Sequence, residues 1–269
     1  MIHNVEKYLF SLETKGVKLG LSRTVELLKR CKSPHQDIPI IQILGTNGKG
    51  SASAILYKLL RSEYNVGLYT SPHLYSFCER IRYNGASIPI EYIKSFLSQY
   101  QKTIEAIDAS FFEVMTVMAI WYFKQKKVDY AIMETGLGGK FDSVTACNSK
   151  IFGITSISMD HTHILGNDLK SIAKEKIAAI KPSSTIYTVP QTSDVENLIR
   201  KECKIKESNL FLVPRNNSLD ISLKGDHQKE NASLSLQIAR DLLTIWDQGS
   251  IDKCLASINW HGRNQILSK

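Results

Sequence analysis

The chain has 269 residues, which is enough for one or two domains with a hydrophobic core. Apolar residues make up 43% of the sequence and charged residues 22%, a globular composition that excludes a disordered or fibrous chain. The net charge of +8 predicts an attraction for anions such as phosphates, polyglutamates or nucleic acid, without choosing among them.

The cysteines and the distribution of apolar residues bear on location. Five cysteines are widely spaced and form no CxxC pair, which indicates neither a disulfide framework nor a zinc site. A reducing compartment fits this pattern, so we expect a cytoplasmic protein. Residues 1–14 lack the apolar core of a secretion signal, and no window of about 18 apolar residues predicts a membrane span.

Apolar runs rich in β-branched residues alternate with longer segments of helical period, which predicts an α/β fold with a mainly parallel sheet flanked by helices. Strands are predicted over residues 38–44, 66–70, 128–134, 151–156, 184–189 and 210–213. Helices are predicted over residues 52–62, 90–107, 112–126, 169–180, 195–201 and 227–245, with another near 251–258. No repeat or Pro-rich linker divides the chain, so we expect one domain.

A glycine-rich loop joins the first predicted strand to the first predicted helix. Its residues are Gly45, Thr46, Asn47, Gly48, Lys49, Gly50 and Ser51. Glycines let backbone N–H groups approach phosphate oxygens, Lys49 neutralises the β and γ phosphates, and Ser51 can hold Mg²⁺. Gly50 separates the lysine from the hydroxyl residue, which departs from the general pattern. We therefore predict an ATP or GTP site, with a plain strand-to-helix turn as the alternative.

This loop with its extra glycine resembles that of the folylpolyglutamate synthase and dihydrofolate synthase family in the Mur ligase superfamily. Other segments agree in order, among them KLGLSR at 18–23, GLYTSPHL at 67–74, ERIR at 79–82, ETGLGGKFD at 134–142 and GDHQ at 225–228. The resemblance implies a P-loop-containing ATPase domain followed by a smaller domain that helps to bind glutamate. We expect residues 1–269 to be the ATPase domain, residues 1–37 to precede its core, and the second domain to be missing after about residue 263.

The activity that the resemblance implies is ATP-dependent ligation of L-glutamate to a carboxylate of folate or dihydropteroate. A carboxylate is a poor electrophile, so the γ-phosphoryl group of ATP first makes an acyl phosphate, which the amine then attacks. Charge builds on phosphoryl oxygens, so the protein must place cations around them. The resemblance assigns catalytic roles to Lys49, His161 and Lys176.

The resemblance also implies two Mg²⁺ ions. Their ligands are expected to be Ser51, Ser71, Glu134, His161 and Lys176. Ser71 and Glu134 each follow a predicted strand, where ligands bind in open α/β sheets, and hard oxygens suit Mg²⁺. The family carries a carbamylated lysine at the position of Lys176, which requires a lowered pKa. Solvated helix charges, and a metallohydrolase built on the D-H-x-H string at 160–163, are the alternatives.

Further binding residues follow from the resemblance. Substrate contacts are expected at Pro72, His73, Arg80, Phe112, Glu113 and Asp142, and nucleotide contacts beyond the loop at Asn231 and Arg263. The segment from Pro72 to Arg80 mixes rings and cations, which suits a flat pterin with an anionic tail. The alternative is an exposed loop with chance aromatic residues.

Three other functions stay open. Without its second domain the reaction centre would be open to water, so the chain is alternatively a noncatalytic nucleotide-binding remnant or a subunit that needs a partner chain. A cell-wall Mur ligase would share the phosphate loop but should lack the segments at 71–74 and 79–82. Nucleic acid fits the charge, yet neither an aromatic RNA motif nor a helix-turn-helix is evident.

Overall fold

The computed structural model describes residues 5–13, 20–160 and 165–262. Within them the strands are β1 (Ile40–Leu44), β2 (Val66–Tyr69), β3 (Ile81–Tyr83), β4 (Ala86–Ser87), β5 (Tyr130–Glu134), β6 (Ile151–Ile154), β7 (Thr185–Thr188) and β8 (Asn209–Leu212). The α-helices are α1 (Val5–Glu13), α2 (Ser22–Arg30), α3 (Lys49–Leu60), α4 (Ile90–Ala106), α5 (Phe111–Gln125), α6 (Leu169–Ile177), α7 (Ser193–Ile205), α8 (Gln228–Leu242) and α9 (Gln248–Ala256). Short 3₁₀ turns cover Pro34–Asp37, Phe77–Arg80 and Ser143–Cys147.

The strands form one sheet in the order β4-β3-β2-β5-β1-β6-β7-β8. Six of them run parallel, and β3 and β4 add an antiparallel hairpin at one edge. The prediction of a mainly parallel sheet is therefore confirmed. From β1 the chain crosses to β2 on one side and later to β6 on the other. A crevice consequently opens at the carboxyl end of β1, where open α/β sheets bind their ligands.

Helices cover both faces of the sheet, which explains why all five residues of β1 are buried. Ile41 and Ile43 pack with α3 and α8 on one face. Ile40 lies in the opposite core with α1, α2, α4 and α5. Leu44 belongs to a third cluster with α6 and α7. The central strand is thus held from both sides, and the loop that follows it starts from a rigid base.

Each predicted strand and helix is present, with boundaries shifted by a few residues. Helix α3 begins at Lys49 instead of residue 52, because the last residues of the glycine loop already form its first turn. Strands β3 and β4 and helices α1 and α2 were not predicted. The two strands have three and two residues, too few to show a period, and their pairing depends on the neighbouring strand β2.

None of the helices in the described ranges is long and apolar enough to cross a membrane. All five cysteines are free thiols. Burial raises the pKa of Cys31 and of Cys147 to about 12, which leaves these two thiols poor nucleophiles.

Candidate active site

The glycine loop lies at the carboxyl end of the central strand. Its backbone takes positive φ angles of +134° at Gly45 and +87° at Gly48, a region that other residues disfavour. A Cβ atom at Gly48 would overlap the side-chain oxygen of Asn231, and one at Gly45 would overlap the hydroxyl of Thr155. Glycine is therefore required at both positions by conformation and by close approach.

Two lysine ammonium groups converge on the loop. Nζ of Lys49 donates hydrogen bonds to the carbonyl oxygens of Gly45 at 3.2 Å and Thr46 at 3.0 Å. Nζ of Lys176 donates to the same Gly45 oxygen at 2.9 Å. Burial and the neighbouring Lys49 ammonium lower the pKa of Lys176 to about 8. The loop is thus surrounded by positive charge of the kind that binds phosphate oxygens.

Three of the expected metal ligands lie in one cleft with the loop: Ser51, Ser71 and Glu134. Glu134 ends β5 and is 3% exposed, and its Oε2 accepts a hydrogen bond from the Ser71 backbone N–H at 3.0 Å. The hydroxyl of Ser51 is buried and has no hydrogen-bond partner in the described part of the chain. A buried hydroxyl without a partner costs free energy, and the Ser51 hydroxyl differs from other such groups in lying at the cleft, where a bound ligand would satisfy it.

These donors fit a magnesium ion. A carboxylate oxygen and two hydroxyls are hard oxygen ligands of the kind that Mg²⁺ prefers, and the unpartnered Ser51 oxygen supplies a free donor. Among the residues described, no three or more His, Cys, Asp and Glu side chains come together as a metal cluster. His161, the expected ligand of a second ion, lies outside the described residues.

A second loop, which follows β6, supports the glycine loop. The Ser156 carbonyl accepts a hydrogen bond from the Thr46 backbone N–H at 2.8 Å. The Thr46 hydroxyl donates to the Ser158 carbonyl and accepts from the Ser158 backbone N–H, both at 3.1 Å. Gln191, after β7, accepts from the Ile157 backbone N–H at 3.1 Å. Ser158 and Gln191 were not predicted, because nothing in their local pattern shows which loop they contact.

The loop opens into a cleft of about 650 Å³, which we call the nucleotide cleft. It is lined by the loop residues from Thr46 to Ser51 and by Ser71, Pro72, Glu134, Gly136, Ser156, His227, Glu230 and Asn231. Asn231 is buried in α8, and its Nδ2 donates to Oε1 of Gln228 at 3.0 Å. The structure therefore brings Asn231 to the loop, as expected, and adds His227 and Glu230 as neighbours. Arg263 lies outside the described residues.

A second cleft, of about 360 Å³, also reaches Ser71 and Pro72; we call it the aromatic cleft. Five of the six expected substrate residues line it: Pro72, Arg80, Phe112, Glu113 and Asp142. Two further rings on its wall, Phe111 and Phe141, were not predicted. The guanidinium of Arg80 lies over the Phe111 ring at 5.0 Å from its centroid. Rings beside a buried cation are suited to a flat heteroaromatic acid.

The sixth expected substrate residue, His73, does not line the aromatic cleft. Its Nδ1 accepts a hydrogen bond from Nε of Arg80 at 2.8 Å. Burial and the Arg80 charge lower the pKa of His73, which keeps the imidazole neutral and able to accept. His73 therefore holds the Arg80 side chain in place without lining the aromatic cleft itself.

Two carboxylates of the aromatic cleft are engaged by the protein itself. Glu113 accepts from the Ser110 backbone N–H at 2.7 Å and from Nε of Arg23 at 3.0 Å, which caps α5 and ties α2 to it. Asp142 accepts three backbone N–H groups, those of Gly136, Leu137 and Val144, at 2.9 to 3.0 Å. Burial nevertheless raises the pKa of Asp142 to about 6. These carboxylates shape the cleft wall.

Comparisons with known proteins agree with this geometry. No family model matches the chain. The dihydrofolate synthase/folylpolyglutamate synthase of Bacillus subtilis is 34% identical over 291 residues, which cover 94% of this chain and 67% of that protein. A probable bifunctional folylpolyglutamate synthase/dihydropteroate synthase of Haloferax volcanii is 29% identical over 98% of this chain, which spans only 35% of that protein's length. Escherichia coli FolC, solved in complex with DHPP and ADP, matches with a TM-score of 0.89 at 26% identity, covering 100% of this chain and 69% of that one.

The sheet order, the glycine loop after β1 and the structural match define a nucleotide-binding domain of the Mur ligase type. Within that class, the identity to the Bacillus protein decides the family. The chain belongs to the folylpolyglutamate synthase/dihydrofolate synthase family.

Proposed function

We propose that the chain binds ATP with Mg²⁺ in the nucleotide cleft and activates a carboxylate of folate or dihydropteroate for ligation to L-glutamate. One observation carries the proposal: the nucleotide cleft and the aromatic cleft meet at Ser71 and Pro72, beside Glu134. A triphosphate on the loop and an acid among the aromatic rings would therefore meet at one place. The ligands and activities named for the Bacillus and E. coli relatives support this assignment.

The glycine loop and its lysines would hold the triphosphate. The first residues of α3 line the cleft, so their backbone N–H groups would donate to the phosphate oxygens, and Lys49 would turn from its two carbonyl partners to the same oxygens. Ser51, Ser71 and Glu134 would hold Mg²⁺, which neutralises phosphate charge when bound. A second ion, with His161 as its ligand, remains part of the proposal on the basis of the resemblance alone.

Lys176 is proposed to become carbamylated. Its lowered pKa makes the neutral amine accessible near neutral pH, and that form attacks CO₂, forming an N–C bond and releasing a proton. The product carries a negative charge and two oxygens in place of the ammonium, next to the Gly45 carbonyl. This change would convert a cation at the loop into an oxygen donor for a metal.

The chemistry then proceeds in two displacements. A carboxylate oxygen of the acid attacks the γ phosphorus, and the bond to the β-phosphate oxygen breaks, which gives an acyl phosphate and ADP. The glutamate amine attacks the acyl carbon, loses a proton, and inorganic phosphate leaves. Lys49, in the nucleotide cleft, would neutralise charge on the transferring group, and Arg80, in the aromatic cleft, would orient the acid.

The proposal extends to partners and location. We propose that the glutamate-binding domain expected from the resemblance lies in the part of the relatives outside the match, which covers 67% of the Bacillus protein and 69% of the E. coli one. We propose that ligation of glutamate needs such a domain or a partner chain, whereas nucleotide binding and activation of the acid do not. A cytoplasmic location is proposed as well, and the five free cysteines support it.

The test separates binding from chemistry. A nonhydrolysable ATP analogue should bind only with Mg²⁺, and Lys49→Gln should weaken it by about tenfold or more, while Lys102→Gln, an exposed lysine in α4, should not. ADP release should then require dihydropteroate or folate, with hydroxylamine replacing glutamate as the amine. Equal nucleotide affinity in Lys49→Gln, or no release with any pterin acid, would overturn the proposal.

A further inference from the structure

We propose that a third cleft beside the reaction centre binds the glutamyl carboxylates of an acceptor's anionic tail. This inference rests on the proposed function and adds a subsite to it. The cleft has a volume of about 510 Å³ and shares Ser71, Pro72 and Glu134 with the nucleotide cleft. Because α3 lines it and α5 lines the aromatic cleft, the two clefts reach Ser71 from opposite faces of the sheet. We call it the basic cleft.

Three cationic side chains line the basic cleft: Lys58 in α3, Arg61 directly after the end of α3, and Arg82 in β3. None of them forms an ion pair with a carboxylate within the described ranges. Lys58 instead donates to the carbonyl and hydroxyl oxygens of Ser257, and Nε of Arg82 donates to the Glu79 carbonyl at 3.1 Å. Neutral oxygens thus hold Lys58 and Arg82, and the Arg82 charge also helps to lower the pKa of the neighbouring Glu79 carboxyl.

The acidic residues of the same cleft are already engaged. Glu79 accepts hydrogen bonds from the backbone N–H groups of Leu74, Tyr75 and Ser76 at 3.0 to 3.2 Å. Glu134 accepts from the Ser71 backbone N–H and belongs to the proposed magnesium site. Three cations against two carboxylates leave the lining of the basic cleft with a net formal charge of +1, which predicts an anionic ligand.

Aromatic rings orient two of the cations. The guanidinium of Arg82 lies 5.3 Å from the ring centroid of Trp260, and that of Arg61 lies 5.3 Å from the ring centroid of Tyr57. A guanidinium packed by its face presents its N–H edge, which is the edge that pairs with carboxylates. Tyr75, which is 87% exposed, adds a ring at the cleft wall.

The spacing favours a chain of carboxylates over a compact phosphate. Lys58 and Arg61 lie about one helical turn apart and Arg82 stands on another element, so the charges are spread through the cleft. The proposed phosphate site is the glycine loop, whereas no glycine-rich loop leading into a helix is among the described residues that line the basic cleft. Because the basic cleft and the aromatic cleft both reach Ser71, an acceptor with its pterin in the aromatic cleft would extend its tail past Ser71 and Glu134 into the basic cleft.

The experiment measures binding to the full chain in the presence of Mg²⁺ and a nonhydrolysable ATP analogue. The ligands are pteroate, pteroylmonoglutamate, pteroyltriglutamate, free γ-linked triglutamate and L-glutamate. Affinity should rise with tail length and fall with salt. Each of Lys58→Gln, Arg61→Gln and Arg82→Gln should weaken pteroyltriglutamate by about two- to fivefold and leave pteroate and the nucleotide unchanged. Lys102→Gln is the matched control, and melting temperatures confirm folding.

The outcomes separate this inference from the proposed function. If affinity does not depend on tail length, or if the three variants match Lys102→Gln, the basic cleft is not a tail site although the proposed ligase function stands. If the variants weaken L-glutamate and spare pteroyltriglutamate, the cleft serves the amine substrate and the assignment to the tail is wrong. If pteroate fails to bind but γ-linked triglutamate binds and weakens in the variants, the cleft assignment stands and the proposed pterin acid is wrong.

Discussion

Replacing Gly48 by alanine tests the requirement for a bare backbone in the glycine loop. Gly48 has a φ angle of +87°, and an added Cβ would overlap Oδ1 of Asn231 and lie 2.9 Å from its Nδ2. Asn231 is buried and held by Gln228, so it cannot turn away without losing that hydrogen bond. Either the loop or the start of α8 must move.

The size of the effect follows from these contacts. A left-handed conformation costs a residue with Cβ about 1–2 kcal/mol, and loss of a buried hydrogen bond costs about 1 kcal/mol more. We expect Gly48→Ala to lower the free energy of unfolding by about 2–3 kcal/mol, which corresponds to roughly 5–10 °C in melting temperature for a domain of this size. Nucleotide affinity should fall by about tenfold or more, because the displaced loop no longer aims its N–H groups.

The assay combines thermal unfolding with titration of the ATP analogue. Gly20→Ala is the matched control, because Gly20 has a φ angle of +114° and no atom of the described residues lies within 4 Å of an added Cβ. The Gly20→Ala variant should lose stability because of the left-handed backbone strain, but it should keep the nucleotide affinity of the natural chain. Adding Asn231→Ala to Gly48→Ala should restore part of the stability, a coupling that a double-mutant cycle measures. The reasoning is refuted if Gly48→Ala and Gly20→Ala behave alike in both measurements.

Three further changes have defined outcomes. Ser51→Ala removes a buried hydroxyl without a described partner, so melting should change by only about 1–2 °C while the Mg²⁺ dependence of nucleotide binding is lost; retained dependence would count against Ser51 as a ligand. Burial raises the pKa of Asp142 to about 6, so the folded state binds its proton more tightly than the unfolded state, and stability falls as pH rises through about 6. In urea unfolding, the free energy of unfolding of the natural chain relative to that of Asp142→Asn should fall by about 1 kcal/mol between pH 5 and 7.5. A difference in free energy between the two proteins that does not change with pH would contradict this. Phe112→Ala should weaken pteroate about tenfold in calorimetry and spare the nucleotide, and an equal loss of both would indicate a folding defect instead.

The fold was predictable where local pattern and burial agree. Buried β-branched runs such as Ile40–Leu44 identify the central strands, because few other structures place every residue of a run in the core. The hairpin Ile81–Tyr83 and Ala86–Ser87 was not predictable, since its pairing is decided by the neighbouring strand and not by its own sequence.

The candidate site was predictable to the extent that it follows strand ends. Lys49, Ser71 and Glu134 each come directly after or near the end of a parallel strand, so the topology alone brings them to one crevice. Contacts between distant loops carry no such signal, and the support of Thr46 by Ser158 is an example. Glu113 was expected as a substrate contact, and its role as a helix cap was not predicted, although the S-x-x-E pattern that begins at Ser110 is a capping-box signal.

The convergence of cations in the basic cleft depends on tertiary structure. Lys58 and Arg61 read as ordinary exposed helix charges in the sequence, and Arg82 lies in a strand that has no period of its own. Only the packing of α3 beside β3 and the segment around Trp260 brings them to one space. Side chains that share no local pattern can form a site in this way.

The central claim is that one reaction centre, where the nucleotide and aromatic clefts meet, phosphorylates a carboxylate. Incubating the chain with ATP, Mg²⁺, hydroxylamine and a pterin acid labelled with ¹⁸O in its carboxylate tests this directly, because formation and breakdown of an acyl phosphate moves one carboxylate oxygen to phosphorus. We predict that the released inorganic phosphate carries one ¹⁸O atom and that Lys49→Gln abolishes its release. Unlabelled phosphate, or no phosphate release that depends on the acid, would contradict the account.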